Sequence, residues 1–346
     1  MRHFGIFCLF IILLLTFQSA AQIGGENTYR FLTLTSSARV ASLGGNHVSL
    51  IDSTDLNLPF HNPALLDSDM ALKVLVNYVN YMTDINYGYA SYAIPLPKFG
   101  TVAAGMHYIN YGNFTETTEE GEITGNQFKA AEYALNLIWS HHYERLRYGI
   151  NIKPVLSVFE NYQSFGMAFD AGIAWAAKNG RTMTGLAARN FGTQITTYYD
   201  NGEKESLPFD VQAGLTHRLA YAPLQFSLTA HNLNNWTLGV PEKSEQEPEG
   251  EELFLEPAES FGKQLMRHLI WGLEVMPSPH FTLRAGYNYH LRQELKVEER
   301  LSTVGFSLGF GVKIKRFRLD YANTRYHIAG SSNHFSLAFN ISNNLY

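Results

Sequence analysis

The chain carries a single cysteine in 346 residues, Cys8, inside an N-terminal apolar run. Nothing downstream of it can form a disulfide, a thiolate metal site or a cysteine nucleophile. Charge is sparse: Asp, Glu, Lys and Arg make up 16% of the residues, and the formal net charge is −5. So mild an acidic balance speaks against nucleic-acid binding. Beyond the N-terminal run there is no stretch of the about 20 apolar residues that a spanning helix requires. Other catalytic signatures are missing as well: no His-Glu-x-x-His, no P-loop and no dinucleotide fingerprint. His141 and His142 are neighbours, so on a strand they point to opposite faces and make a poor metal pair. His268 and Glu274 would share a strand face, but six residues, about 20 Å, separate them. We expect no enzyme, no cofactor and no metal site.

What is present begins with an address. Met1-Arg2-His3 is a short basic start, Phe4 to Phe17 is almost wholly apolar, and Ser19-Ala20-Ala21 supplies small residues ahead of a cleavage point. This is the pattern of a secretory signal peptide over residues 1–21, with Gln22 as the expected mature N-terminus. The loss of Arg2 would take the net charge from −5 to −6. The chain as a whole is rich in aromatics, with 20 Tyr and 23 Phe beside 28 Gly, yet its mean hydropathy is only −0.14. That combination suits a transmembrane β-barrel, whose strands average one lipid-facing and one lumen-facing set of side chains.

From Met70 onward the sequence falls into short alternating segments. In Phe281–Leu291 the odd positions are Phe281, Leu283, Ala285, Tyr287, Tyr289 and Leu291, and the even ones are Thr282, Arg284, Gly286, Asn288 and His290. Phe165 to Trp175 and Phe317 to Tyr321 repeat the pattern. A soluble sandwich also buries one face of each strand, so a single segment cannot decide between the two. The count and the connections do. Fourteen segments are expected: 70–80, 84–94, 99–111, 129–141, 146–159, 163–177, 181–192, 208–220, 223–234, 264–276, 280–291, 301–314, 317–326 and 334–344. Every second connection is tight, and most of the others are long, the asymmetry of an outer-membrane barrel with short periplasmic turns. Fold class is therefore read as all-β: a 14-stranded antiparallel transmembrane barrel over residues 70–346, in contact with outer-membrane lipid.

Residues 22–69 do not fit the alternation. Tyr29 to Leu66 is broken by Gly44-Gly45, by a polar run from Asp52 to Asn57 and by Asn62-Pro63, where a turn is favoured. It still holds Leu32, Val40, Leu43, Val48, Leu50, Leu58, Phe60, Leu65 and Leu66. Apolar surface on an irregular segment needs a cover, and the expected cover is the barrel lumen, with this segment as an N-terminal plug. The plainer alternative is a loop-rich packing segment without special role. Arg39, Gly44, Gly45, Asn62, Pro63 and Ala64 are the candidate plug residues. Arg39 could meet a lumen carboxylate such as Asp170 or Asp320, Asn62-Pro63 would set a turn, and His61 reads as a hydrogen-bonding plug residue. Lys73, Glu132, Asp170, Arg284, Arg318, Asp320 and Glu274 are expected to face the lumen, where charges most often pair with one another. Pro154 inside 146–159 could mark a kink or bulge. Between Pro241 and Ser260 eight Glu and one Lys surround Leu253-Phe254-Leu255. That apolar triplet is a candidate partner-docking element; a solvated acidic loop without a partner is the simpler reading.

Gly24 to Phe31 (GGENTYRF), Ser37 to Gly45 (SARVASLGG) and Phe60 to Leu66 (FHNPALL), followed by Val76 to Tyr81 and Asp84 to Ala90, resemble the PorQ family of the type IX secretion system of Bacteroidetes. The match is clearest over residues 24–111. The Asn-Pro-Ala element is also similar to the wider group of fatty-acid-transporter-like barrels, to which the related PorV belongs. The resemblance implies a fourteen-stranded plugged barrel in the outer membrane. It also implies a non-catalytic anchor that holds a surface-exposed PorZ-like partner beside the sortase PorU and PorV, in the complex that attaches cargo to anionic lipopolysaccharide. The alternative is a transporter that takes up hydrophobic compounds through a kinked strand. A general porin would want an open lumen, against which the apolar N-terminal segment speaks.

Overall fold

The computed structural model describes residues 27–118, 122–200, 202–238, 260–295, 303–327 and 330–341. The signal peptide and the Leu253-Phe254-Leu255 triplet lie outside the described residues. Fourteen antiparallel strands run in chain order around a closed barrel. They are β1 (Lys73–Met82), β2 (Ile85–Leu96), β3 (Gly100–Thr117), β4 (Ile123–Tyr143), β5 (Leu146–Phe159), β6 (Tyr162–Ala176) and β7 (Thr182–Thr196), then β8 (Asp210–Arg218), β9 (Leu224–Ala230), β10 (Leu269–Ser278), β11 (Phe281–Asn288), β12 (Phe306–Ile314), β13 (Phe317–His327) and β14 (Gly330–Asn340). β14 closes on β1 from Lys73↔Asn340 to Asn80↔Asn333. Closure pairs the first strand with the last, so neither is left as a free sheet edge. Among the described residues three short α-helices accompany the strands: α1 (Ala38–Ser42), α2 (Phe261–His268) and α3 (Tyr289–Glu294).

The period-two pattern sorts the side chains as the alternation requires. On β11 Phe281 and Leu283 face outward, 37% and 45% exposed, while Arg284 and Asn288 point inward and are buried. On β6 Ile173 and Trp175 are exposed and Ala168, Asp170 and Ala174 buried; on β13 Phe317 and Leu319 are exposed and Arg318 and Asp320 buried. The outward apolar set is the surface a bilayer covers.

Three local assignments differ from the sequence reading. β3 and β4 continue to Thr117 and from Ile123, so much of 112–128 is strand rather than loop; Phe114 and Phe128 stack across this extension with centroids 5.3 Å apart. Residues 264–268 and 289–291 are helical. At the second site the Asn288 side chain accepts from the Leu291 amide, an N-cap that turns the chain out of the strand. His268 therefore ends a helix and does not share a strand with Glu274. Pro154 produces no bulge: β5 keeps one register with β6 through Pro154↔Met167. Its missing N–H is met by a gap in the ladder to β4, between Ala134↔Val155 and Leu137↔Ile152. The irregularity lies on β7 instead, where the register to β6 shifts near Phe165 and again between Phe169 and Ala171.

The barrel has two unlike rims. The turns after β2, β4, β6, β8, β10 and β12 are short, and the connections after β7, β9 and β11 on the other rim are long. Wall height differs as well, from 21 residues in β4 to 7 in β9.

Candidate functional site

Residues 35–44, 47–50 and 55–66 are buried, inside the barrel. Short 3-10 turns and α1 carry the chain across the lumen without long ladders of its own, so its backbone groups are met by turns and by side chains. α1 begins at Ser37, whose hydroxyl accepts from the Val40 amide, and the Ala38 amide donates to Ser336 Oγ on β14 at 2.9 Å. Its small residues Ala38 and Ala41 sit directly against Ala322 of β13. Gly44 and Gly45 follow with φ of +100° and +120°, conformations in which a side chain would be strained. A Cβ at Gly286 on β11 would overlap the backbone of Leu43 and Gly44, and one at Gly149 on β5 would lie 2.6 Å from the Pro63 carbonyl carbon. Lumen-facing glycines on several strands thus admit the segment's backbone to the wall itself.

Asn62, Pro63 and Ala64 form one unit. The Asn62 side chain accepts from the Ala64 amide at 3.0 Å and donates to Val48 O at 2.8 Å and to Ile173 O of β6 at 3.3 Å. Pro63 opens the 3-10 turn that Asn62 caps, where its missing N–H costs nothing. His61 Nε2 meets Thr35 Oγ1 at 3.1 Å. His47 Nε2–H donates to Leu43 O at 2.8 Å, which leaves Nδ1 to accept from the Thr229 hydroxyl at 3.0 Å. Burial, only partly offset by Leu43 O and Glu274, holds the His47 imidazole down to about 4.

Arg39 is the electrostatic centre. Its guanidinium grips Glu274 of β10 with Nε–Oε1 at 3.0 Å and Nη2–Oε2 at 2.8 Å, and Nη1 lies 3.0 Å from both Asp52 Oδ2 and Asp55 Oδ2. Arg284 bridges Glu274 to Asp320, and Arg318 joins Asp320, Asp52 and Asp55. Burial alone would raise the Asp55 carboxyl; Arg318 and Arg39 overcome it and hold it near 2. Burial alone would lower the Arg39 guanidinium; Glu274, Asp52 and Asp55 carry it well above its usual value. The expected partners of Arg39, Asp170 and Asp320, are taken by others. Asp170 pairs with Lys153 at 2.6 Å, and Asp320 with Arg284 and Arg318, both at 2.7 Å. Among the expected lumen charges Glu132, Asp170, Glu274, Arg284, Arg318 and Asp320 are buried, and Lys73 reaches Thr54 O from a half-buried position. Lys153 and Arg189 are buried charges that the sequence reading did not single out.

Above the buried segment, on the long-loop rim, is a cleft of about 460 Å³. Tyr29, Phe159, Tyr162, Tyr198 and Tyr199 line it, with Arg30, Glu132 and Glu205 at its edges. Tyr162 and Tyr199 lie 4.9 Å apart and Phe159 and Tyr198 5.8 Å apart, ring to ring. Beside the cleft the wall loses its ladder. The last β7–β8 pair is Arg189↔Asp210, so Asn190 to Thr196 have no partner on β8. Side chains stitch that seam: Asn190 Nδ2 donates to Pro208 O at 3.2 Å, and Gln194 Oε1 accepts from the Glu205 amide at 3.0 Å. Among the described residues no group of three His, Cys, Asp or Glu could hold a metal ion.

No family model matches the chain, and no curated protein does. Solved structures do. A deletion mutant of the monoaromatic hydrocarbon channel TodX is 13% identical, aligned over 87% of this chain and 96% of its own, with a TM-score of 0.50. The monoaromatic hydrocarbon channel CymD is 11% identical, covering 89% and 96%, with a TM-score of 0.48. A Pseudomonas aeruginosa FadL homologue is 13% identical, covering 90% and 98%, with a TM-score of 0.45. At these identities the likeness concerns the fold alone: the chain is a closed fourteen-stranded β-barrel, similar in fold to a monoaromatic hydrocarbon channel.

Proposed function

We propose that the protein is an outer-membrane barrel that admits hydrophobic compounds at its long-loop rim and delivers them sideways into the lipid. The observation that carries this reading is the unladdered seam between β7 and the β7–β8 connection, next to an aromatic-lined cleft. A wall held by two or three side-chain bonds opens more easily than one held by a backbone ladder, since each of those bonds contributes only about 1 kcal/mol net. The buried Tyr29–Leu66 segment blocks the straight route down the lumen, so an apolar molecule in the cleft has the seam as its exit. The monoaromatic hydrocarbon channels of similar fold favour small aromatic compounds as a first class to test. Cells producing the protein should take up labelled toluene faster than vector controls, and Asn190→Ala with Gln194→Ala, which loosens the seam, should raise the rate further. Uptake equal to the vector control in both would sink the proposal.

A second reading, the PorQ-like anchor for a surface partner, rests on a different observation. Trp236 and Phe261, the first residue of α2, stack at 5.5 Å on the long-loop rim and are 42% and 70% exposed. Exposed paired aromatics are the side chains that most often anchor a protein interface. Mild-detergent pull-down of tagged protein from native membranes separates the two readings. Stoichiometric recovery of a PorZ-like protein, lost in Trp236→Ala with Phe261→Ala, supports the anchor; recovery of the barrel alone counts against it.

A further inference from the structure

We propose that Arg189 holds one small monovalent anion, of halide or formate size, between the lumen segment and the β7 wall. Arg189 is 2% exposed. Its only hydrogen bond among the described residues is a long one, Nη1 to Asn46 Oδ1 at 3.3 Å, and its Nε–H has no partner. No carboxylate lies within ion-pairing distance of it among the described residues. The two nearest by topology are engaged elsewhere. Asp170 takes Lys153, Asn151 and the Asn190 amide; Asp210, directly across the ladder, takes Gln212 and the Asn232 amide. Arg318 and Arg39, also buried, each meet two or more carboxylates, so Arg189 departs from the pattern of its own lumen. A buried charge without a counterion is strongly disfavoured, and guanidinium cannot shed its proton to escape.

The groups around Arg189 lack partners in the same place. Arg189 Cζ sits 5.5 Å from the centroid of Phe60. The rings of His61 and His107 approach the same Phe60 at 5.2 Å and 5.1 Å. His61 Nδ1 and both ring nitrogens of His107 are buried without hydrogen-bond partners. A neutral imidazole carries one N–H, so each histidine can turn a donor toward a guest that Arg189 attracts. Arg189 on β7, His107 on β3 and His61 of the lumen segment thus share one neighbour, the Phe60 ring. Lys153 and Asp170, both buried, neutralise each other. That leaves a single positive charge, which sets the valence of the guest. Phe31 stacks on His107 at 5.4 Å and Tyr89 meets Phe60 at 5.0 Å, so the surrounding rings are in packing contact and set its size.

The test uses the full-length protein in detergent, crystallised from sodium bromide and measured at the bromine absorption edge. The expected result is an anomalous peak within hydrogen-bonding reach of Arg189 Nε and of a nitrogen of His61 or His107, absent in Arg189→Gln. Stability should follow: the unfolding midpoint in chloride should exceed that in gluconate, an anion too large for the site, by about 5 °C. Arg189→Gln should remove that difference. Because the bromide and anion-swap experiments use the unaltered protein, failure of the variant to fold leaves the proposal testable. Water alone at Arg189 would overturn it. So would a bromide peak with no dependence of stability on the anion, which means an adventitious ion only. Formate should displace bromide and decanoate should not; equal displacement by decanoate would assign the site to an amphiphile's head instead and overturn the free-anion proposal.

Discussion

Replacing Arg39 by methionine removes the one side chain that ties α1 to the wall and to the Asp52–Asn57 run at once. The substitution is close in volume, so the loss is mainly electrostatic. Glu274 would keep Arg284 and Gln225, and Asp55 would keep Arg318, so neither carboxylate is stranded. The cluster nonetheless changes its balance. Arg39, Arg284, Arg318 and Lys313 face Glu274, Asp52, Asp55 and Asp320, four charges against four. Without Arg39 one negative charge is uncompensated in a buried site. Removing one partner of a buried ion pair costs about 3–5 kcal/mol, so opening of the segment should become easier by roughly two to three and a half powers of ten. Hydrogen exchange reads this directly: the Ala41 and Gly44 amides, bonded to Ser37 O and Ala41 O, should exchange faster by that factor while amides in the middle of β6 stay protected. Adding Glu274→Gln should recover part of the loss, because it removes one of the four negative charges and restores the balance of the cluster. An acceleration below about threefold in Arg39→Met would show that apolar packing alone holds the segment, and would refute the role given to the cluster.

Gly286→Val should displace the segment, because no rotamer relieves the overlap between its Cβ and the Leu43–Gly44 backbone; limited proteolysis should cut within residues 27–70 in the variant and not in the parent. Asn62→Ala removes three hydrogen bonds of a buried side chain and should lower stability by about 1–3 kcal/mol, measured by denaturant unfolding in detergent; no change would mean that Pro63 alone sets the turn. Acid should loosen the segment in two steps. His47, held near 4 against an ordinary 6.5, contributes stability that is fully present above pH 6.5 and is lost as pH falls toward 4, about 3 kcal/mol at most. Asp55, held near 2, contributes stability present above its unfolded value of about 4 and lost as pH falls through 2. His47→Gln should shrink the upper step in exchange or proteolysis, the remainder coming from His61, whose imidazole burial also holds well below its ordinary value, and leave the lower step unchanged.

Strand number and inward-facing charge were legible because both follow from a period of two, which backbone geometry imposes on every strand. Arg284, Arg318, Asp320 and Glu274 fell on the inward face by parity alone. Parity also explains what was missed. The register shift on β7 makes the consecutive residues Arg189 and Asn190 both face inward, with Asn190 at φ +57°, and no alternation rule places two neighbours on one face. Arg189-Asn190 interrupting an otherwise alternating strand is the signal that could have drawn attention to it. The partner of Arg39 was out of reach for another reason. Arg39 could be placed in the lumen from the apolar residues around it, but which carboxylate it meets depends on how α1 sits against β11 to β14 and so where its guanidinium reaches, a property of the packed whole. The turn at Asn62-Pro63, by contrast, is local chemistry, and it could be read without knowing what surrounds it.

Conductance in planar bilayers most directly tests whether the barrel is closed along its axis and open only through its wall. Purified protein should insert without a steady ion current, and a variant lacking residues 27–66 should conduct as a water-filled barrel does. A stable open-channel current from the intact protein, comparable to that of the deletion variant, would contradict a lumen filled by the Tyr29–Leu66 segment, and with it the sideways route for hydrophobic compounds.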